Sequence, residues 1–156
     1  MRDASRLKQQ GLTLIELIVA FTILLILATA ALPLARVKIK RDHELDLHRS
    51  LREMRTAIDR YKDAADRGLI QVKLGTEGYP PDLQTLVDGV QLAGAPERRV
   101  RFLRRIPVDP MTGQTDWSLR CVQDPPDSQS WCGQDVFDVY SRSQGTALDG
   151  TRYGDW

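Results

Sequence analysis

The chain turns apolar at Leu12 and stays so to Ala35, a run of 24 residues in which Glu16 is the only charge. As a helix rising 1.5 Å per residue this run spans about 36 Å, enough to cross a bilayer. A helix in a soluble core would carry one polar face, but Thr13, Glu16, Thr22 and Thr29 are scattered around this one. After Arg36 the stretch RVKIKRDHELDLHRS is polar. Leu47, Leu51, Met54, Ile58, Tyr61 and Ala65 then recur at alternating steps of four and three, one apolar stripe on a helix. Gly68 supplies the stop signal. The pattern predicts one long helix from Leu12 to about Arg67, with its first half in lipid or a filament core and its second half packed on a small domain.

From Leu69 to Val108 glycines and prolines recur, and the segment reads as turn-rich around a short helix in PPDLQTLV that ends at Val87. PERRVRFLRRIP carries five arginines between two prolines. It reads either as a solvated loop or as a basic contact for neighbouring subunits or acidic headgroups. In PVDPMTGQTDWSLRCV a glycine turn precedes an alternation that turns Trp117, Leu119 and Cys121 one way. DVFDVYS reads as a second strand, Val136, Asp138 and Tyr140 on one side and Phe137 and Val139 on the other. Two or three strands against one helix bury only a small core. The fold class is α+β: a long N-terminal helix packed on a small antiparallel sheet.

Charge adds a direction. Arg2, Arg6 and Lys8 against Asp3 make the first eleven residues basic, the pattern that keeps an N-terminus cytoplasmic. Without them the 22 basic and 21 acidic residues of the chain become 19 and 20. A balance so close to neutral gives no argument for a nucleic-acid partner. His43 and His48, among Asp42, Glu44 and Asp46, are five residues apart and fall on different helix faces, so they read as a solvated charge cluster rather than a metal pair. The sequence carries no Ser-His-Asp order, phosphate loop or paired carboxylates, and is read as non-enzymatic.

Glu16 needs a reason, because an acidic residue at a membrane helix centre costs about 2.5–3.5 kcal/mol, less toward an end. An ordinary secretory signal, cut at Ala28-Thr29-Ala30 to leave a soluble chain from Ala31, gives none. The alternative is a cut after Gly11 that keeps the whole helix. Gly11-Leu12-Thr13-Leu14-Ile15-Glu16-Leu17 resembles the class III leader of the type IV pilin superfamily at every position, and Pro33 falls where those helices commonly carry a proline. The resemblance implies that a prepilin peptidase cuts between Gly11 and Leu12 and methylates the new amine of Leu12. It implies that Glu16 pairs with the Leu12 ammonium of a neighbouring subunit during assembly. Pro33 removes a backbone donor, freeing the carbonyl of Thr29, and lets the rod loosen in a filament.

Tyr79-Pro80, the Leu-Val helix, Pro107-Val108-Asp109-Pro110, the Asp135-to-Ser141 strand and the aromatic Trp156 follow in the order of the G-type major pseudopilins of type II secretion systems. The arginine-rich segment and the two cysteines depart from that pattern. The implied organisation is a cleaved leader at 1–11, a transmembrane and filament-core helix at 12–35, and a periplasmic domain at 36–156. The implied function is a structural subunit of a periplasmic pseudopilus, anchored in the inner membrane. Its partners are further copies of itself, minor pseudopilins, the prepilin peptidase and the inner-membrane assembly platform. A type IV pilus subunit for adhesion or motility and a secreted binding domain cut after Ala30 are the alternatives. In an oxidising periplasm Cys121 and Cys132, flanking the polar loop VQDPPDSQSW, are expected to form a disulfide, the alternative being two free thiols. Related pseudopilins hold calcium in the last loop. Here Ser141 to Tyr153 has one acidic residue, Asp149, opposed by Arg142 and Arg152, so the reading is against calcium. Asp149 and the flanking Asp138 and Asp155 are the only candidates.

Overall fold

The computed structural model describes residues 13–156 and, among these, not the side chains of residues 30–34. The expected leader at 1–11 and the Gly11–Leu12 cut lie outside the described residues, as does the side chain of Pro33. The long helix is present as α1, Leu14–Asp66. The chain divides after Ile39 into two compact units.

In the first unit α1 is helical from Leu14. Its large apolar side chains between Leu14 and Leu27 are all exposed, from 45% at Leu17 to 81% at Leu14. Thr22 and Thr29 turn their hydroxyls back on the helix. Thr22 Oγ1 donates to Ile18 O at 2.7 Å and Thr29 Oγ1 to Ile26 O at 2.8 Å, which leaves no hydroxyl donor unmet.

The second unit is built on the rest of α1. Leu47, Leu51, Met54, Ile58 and Tyr61 are fully buried, as the stripe predicts, joined by Ala57 and flanked by half-buried Ala65. The helix ends in a Schellman motif: Leu69 N donates to Ala64 O and Gly68 N to Ala65 O, both at 2.9 Å. Gly68 has φ +65°, which explains the glycine there. A short helix α2, Leu83–Asp88, starts one residue after the prolines rather than on them. Asp82 caps it, accepting from Thr85 N at 2.7 Å.

Two antiparallel pairs replace the single small sheet of the sequence reading. Strands β1 (Val90–Leu92) and β2 (Ala95–Val100) pair Val90 with Val100 and Gln91 with Arg99, then shift register at a bulge. The arginine-rich segment, for which a solvated loop was one of two readings, therefore supplies a strand in its first part, up to Val100. Gly89 joins α2 to β1 at φ +80°, and a Cβ there would lie 2.6 Å from Val100 O, so the turn demands glycine. Strands β3 (Ser118–Arg120) and β4 (Asp138–Tyr140) pair Ser118 with Tyr140 and Arg120 with Asp138. The strict alternation expected for DVFDVYS is corrected: Val136, Val139 and Tyr140 are all buried while Phe137 is 47% exposed. A three-residue strand is too short to hold one polar face, and Tyr140 is covered by the Arg120 guanidinium 4.0 Å from its ring. Trp117 and Cys121 are buried on the side predicted for them. Pro107-Val108-Asp109-Pro110 makes a turn around Asp109, a fully buried residue whose carboxylate accepts from Met111 N at 2.8 Å and from Ser141 Oγ at 2.6 Å.

Candidate assembly surface

Helix α1 opens on Thr13. Glu16 N donates to Thr13 Oγ1 at 3.3 Å and Leu17 N to Thr13 O at 3.2 Å, so Thr13 is the N-cap and Glu16 stands at the third helical position. Thr-x-x-Glu is the capping-box spacing. Only half the box is closed: no donor among the described residues reaches the Glu16 carboxylate. A negative charge in the first turn is favoured by the helix dipole. What results is a carboxylate at the head of a helix whose sides are uncovered hydrocarbon, a combination of little use to a monomer in water. Among the described residues no helix is long and apolar enough to cross a membrane, and part of the expected span at 12–35 lies outside them.

On the second unit one flank of α1 is covered. Glu44, His48 and Arg55 hold the end of the described chain. Glu44 Oε1 accepts from Tyr153 Oη at 2.9 Å and Leu148 N at 2.8 Å. His48 stacks on Trp156 with ring centroids 4.1 Å apart. Arg55 donates to Asp138 Oδ1 at 2.7 Å and to Trp156 O at 2.8 Å. Glu44 and His48 were read as part of a solvated cluster; instead they dock residues 148–156. Burial, together with the Glu44 carboxylate it bonds, pushes the Tyr153 hydroxyl up to about 12, which keeps it a donor.

Cys121 and Cys132 are bonded, with Cα atoms 6.0 Å apart. Asp124 braces the closed loop, accepting from Cys121 N at 2.8 Å and Cys132 N at 3.4 Å. These three side chains are the one group of converging potential metal ligands among the described residues, and the disulfide takes up both sulfurs. The three aspartates considered for calcium are not brought together. Asp138 pairs with Arg55 and Arg120, and Asp155 with Arg152. Asp149 accepts from Thr151 N and Oγ1, bonds that hold its carboxyl below the usual range.

Asp135, which no local sequence signal marks, is fully buried beside the disulfide loop. Its Oδ1 accepts from Val122 N at 3.2 Å and its Oδ2 has no partner among the described residues. Burial pushes this carboxyl up, and the nearby charges of Glu77 and Asp124 add to the shift. A carboxyl raised in the folded state contributes stability below its ordinary range near pH 4, and loses it as pH rises through the folded value. Asp135→Asn should therefore gain on the native chain as pH climbs from 4 to 7. Thermal midpoints of the two proteins across that range check this; a constant difference would show that Asp135 ionises unperturbed.

Residues 6–32 match the prokaryotic N-terminal methylation motif. The methylation motif covers Gly11, Leu12 and Glu16, and supports a type IV pilin-like chain with a class III leader. It implies processing by a prepilin peptidase and assembly into a polymer, and points to a structural protein rather than an enzyme. No curated protein and no solved structure matches the chain.

Proposed function

We propose that the chain is a pilin-like subunit that is cut between Gly11 and Leu12, methylated on Leu12, held in the inner membrane by residues 12–35, and polymerised into a periplasmic pseudopilus that drives type II secretion. The observation that carries this reading is the methylation motif set on a helix whose described large apolar side chains from Leu14 to Leu27 are exposed, with no partner for the Glu16 carboxylate among the described residues. Membrane first and filament core afterwards supply the missing cover. There the Leu12 ammonium of one subunit meets Glu16 of the next, and pairing offsets the cost of burying either charge. Pro33 eases extension of the rod, and no resident metal is required.

The Cys121–Cys132 bond departs from the G-type pattern, so a type IV pilus subunit stands as the second reading. Neighbouring genes separate the two: a secretin with a secretion ATPase supports the pseudopilus, a retraction ATPase the pilus. Both readings share one test. The N-terminal peptide of the purified protein should have the mass of one that starts at N-methyl-Leu12, and Gly11 substitutions should leave the precursor uncut. A chain starting at Ala31 would sink them both.

A further inference from the structure

The second flank of α1 is only partly covered, by Phe102 and Leu103. Arg49, Arg52, Glu53 and Arg60 rise from the helix beside Phe102 and Arg104 to form an open groove of about 420 Å³. Buried Ala57 and Leu103 form its floor, and the half-buried Phe102 ring meets Tyr61 edge-on. Four guanidinium groups face one carboxylate. Arg49 pairs with Asp46, but Arg52, Arg60 and Arg104 pair with no carboxylate among the described residues, and exposed Arg101 and Arg105 extend the charge.

The opposite sign lies on the covered flank, which Arg55 and Lys62 turn toward Asp138 and the Tyr79 ring. The disulfide-closed loop 121–132 carries Asp124 and exposed Asp127, and Gln123 ties it to Glu77 through a 2.9 Å hydrogen bond. None of these three acidic residues makes an ion pair among the described residues. Pro125, Pro126 and the disulfide stiffen this loop, so little freedom is lost when it docks.

We infer that the arginine groove of one copy receives the acidic loop 121–132 of a second copy of this chain. Guanidinium forks take carboxylates two bonds at a time, a match of geometry as well as charge. Two unlike surfaces on opposite flanks of α1 make a head-to-tail contact, which repeats from copy to copy and builds a filament. The inference rests on the polymer reading and adds to it a contact between periplasmic domains, separate from the Glu16 pair.

Charge reversal tests it in full-length protein. Arg104→Glu alone and Asp127→Arg alone should each cut crosslinked multimers by about tenfold or more, and the two together should restore them, because complementary charge governs encounter and register. Both side chains are exposed, and unchanged thermal midpoints confirm that the fold is intact. Normal multimers from either single variant, in cells where the native chain polymerises, overturn this contact and leave the filament reading standing. A native chain that forms no multimers overturns both. Vesicles of equal parts phosphatidylcholine and phosphatidylglycerol supply the remaining arm: if Arg104→Glu loses vesicle binding while assembling normally, the groove serves anionic headgroups and the inference is wrong.

Discussion

Glu16→Leu should be cut, methylated and inserted like the native chain, and should fail to assemble. The substitution makes the span more apolar, so insertion is eased. Assembly fails because a neighbour's ammonium is left unpaired in a greasy bundle. Removing one partner of a buried pair costs on the order of 3–5 kcal/mol, more than one leucine side chain recovers by burial. The half-closed capping box adds a control. Glutamine can fill the third position of that box as glutamate does, so Glu16→Gln keeps the helix start and removes only the charge. Loss of a cap alone costs about 0.5–2 kcal/mol. Both variants should therefore abolish sheared filaments from overexpressing cells. Normal yield from Glu16→Gln would reduce the residue to a helix cap, and normal yield from Glu16→Leu would leave it no role at all.

Replacing both Cys121 and Cys132 with serine should lower stability by about 3 kcal/mol in the chain-entropy account of a loop this short. In a domain of this size that moves the thermal midpoint down by about 10 °C. Asp124 keeps its two backbone bonds in the variant, so the loop loosens without being lost from the fold. Reduction of the native protein should give the same shift. Full thiol labelling before reduction, or an unchanged midpoint in the variant, would show that the bond contributes nothing.

What the sequence made legible is what short-range pattern can encode. The stripe from Leu47 to Tyr61 is a periodicity of one element, and burial follows it residue by residue. Gly68 marks the end of α1 because only one residue type sits comfortably at that φ. The hairpin of β1 and β2 was hidden because its second strand, APERRV, is exposed at four successive positions and lacks the alternation that announces a strand. DVFDVYS misled for the opposite reason: it alternates, but both faces of β4 are covered. The roles of Glu44, His48 and Arg55 could not be read at all, since charged residues on a helix look solvated until their partners are placed beside them. Those partners lie 83 to 109 residues away. The leader motif was readable because it is a local string.

Those same separations set a clock. A ribosome adding about 5–20 residues per second needs on the order of ten seconds to pass from Arg55 to the segment that covers it. Throughout that interval the stripe of α1 is complete, but Val136, Val139 and Tyr153, part of the core it joins, are still missing. Contacts this distant in sequence form late, because each requires closing a long loop before it returns any stabilisation. A nascent chain of this design keeps part of its apolar stripe on offer to chaperones until late, and a chain broken before residue 136 lacks Val136, Val139 and Tyr153 to complete the core. Proteolysis would then find such fragments at once, leaving only complete domains to meet one another.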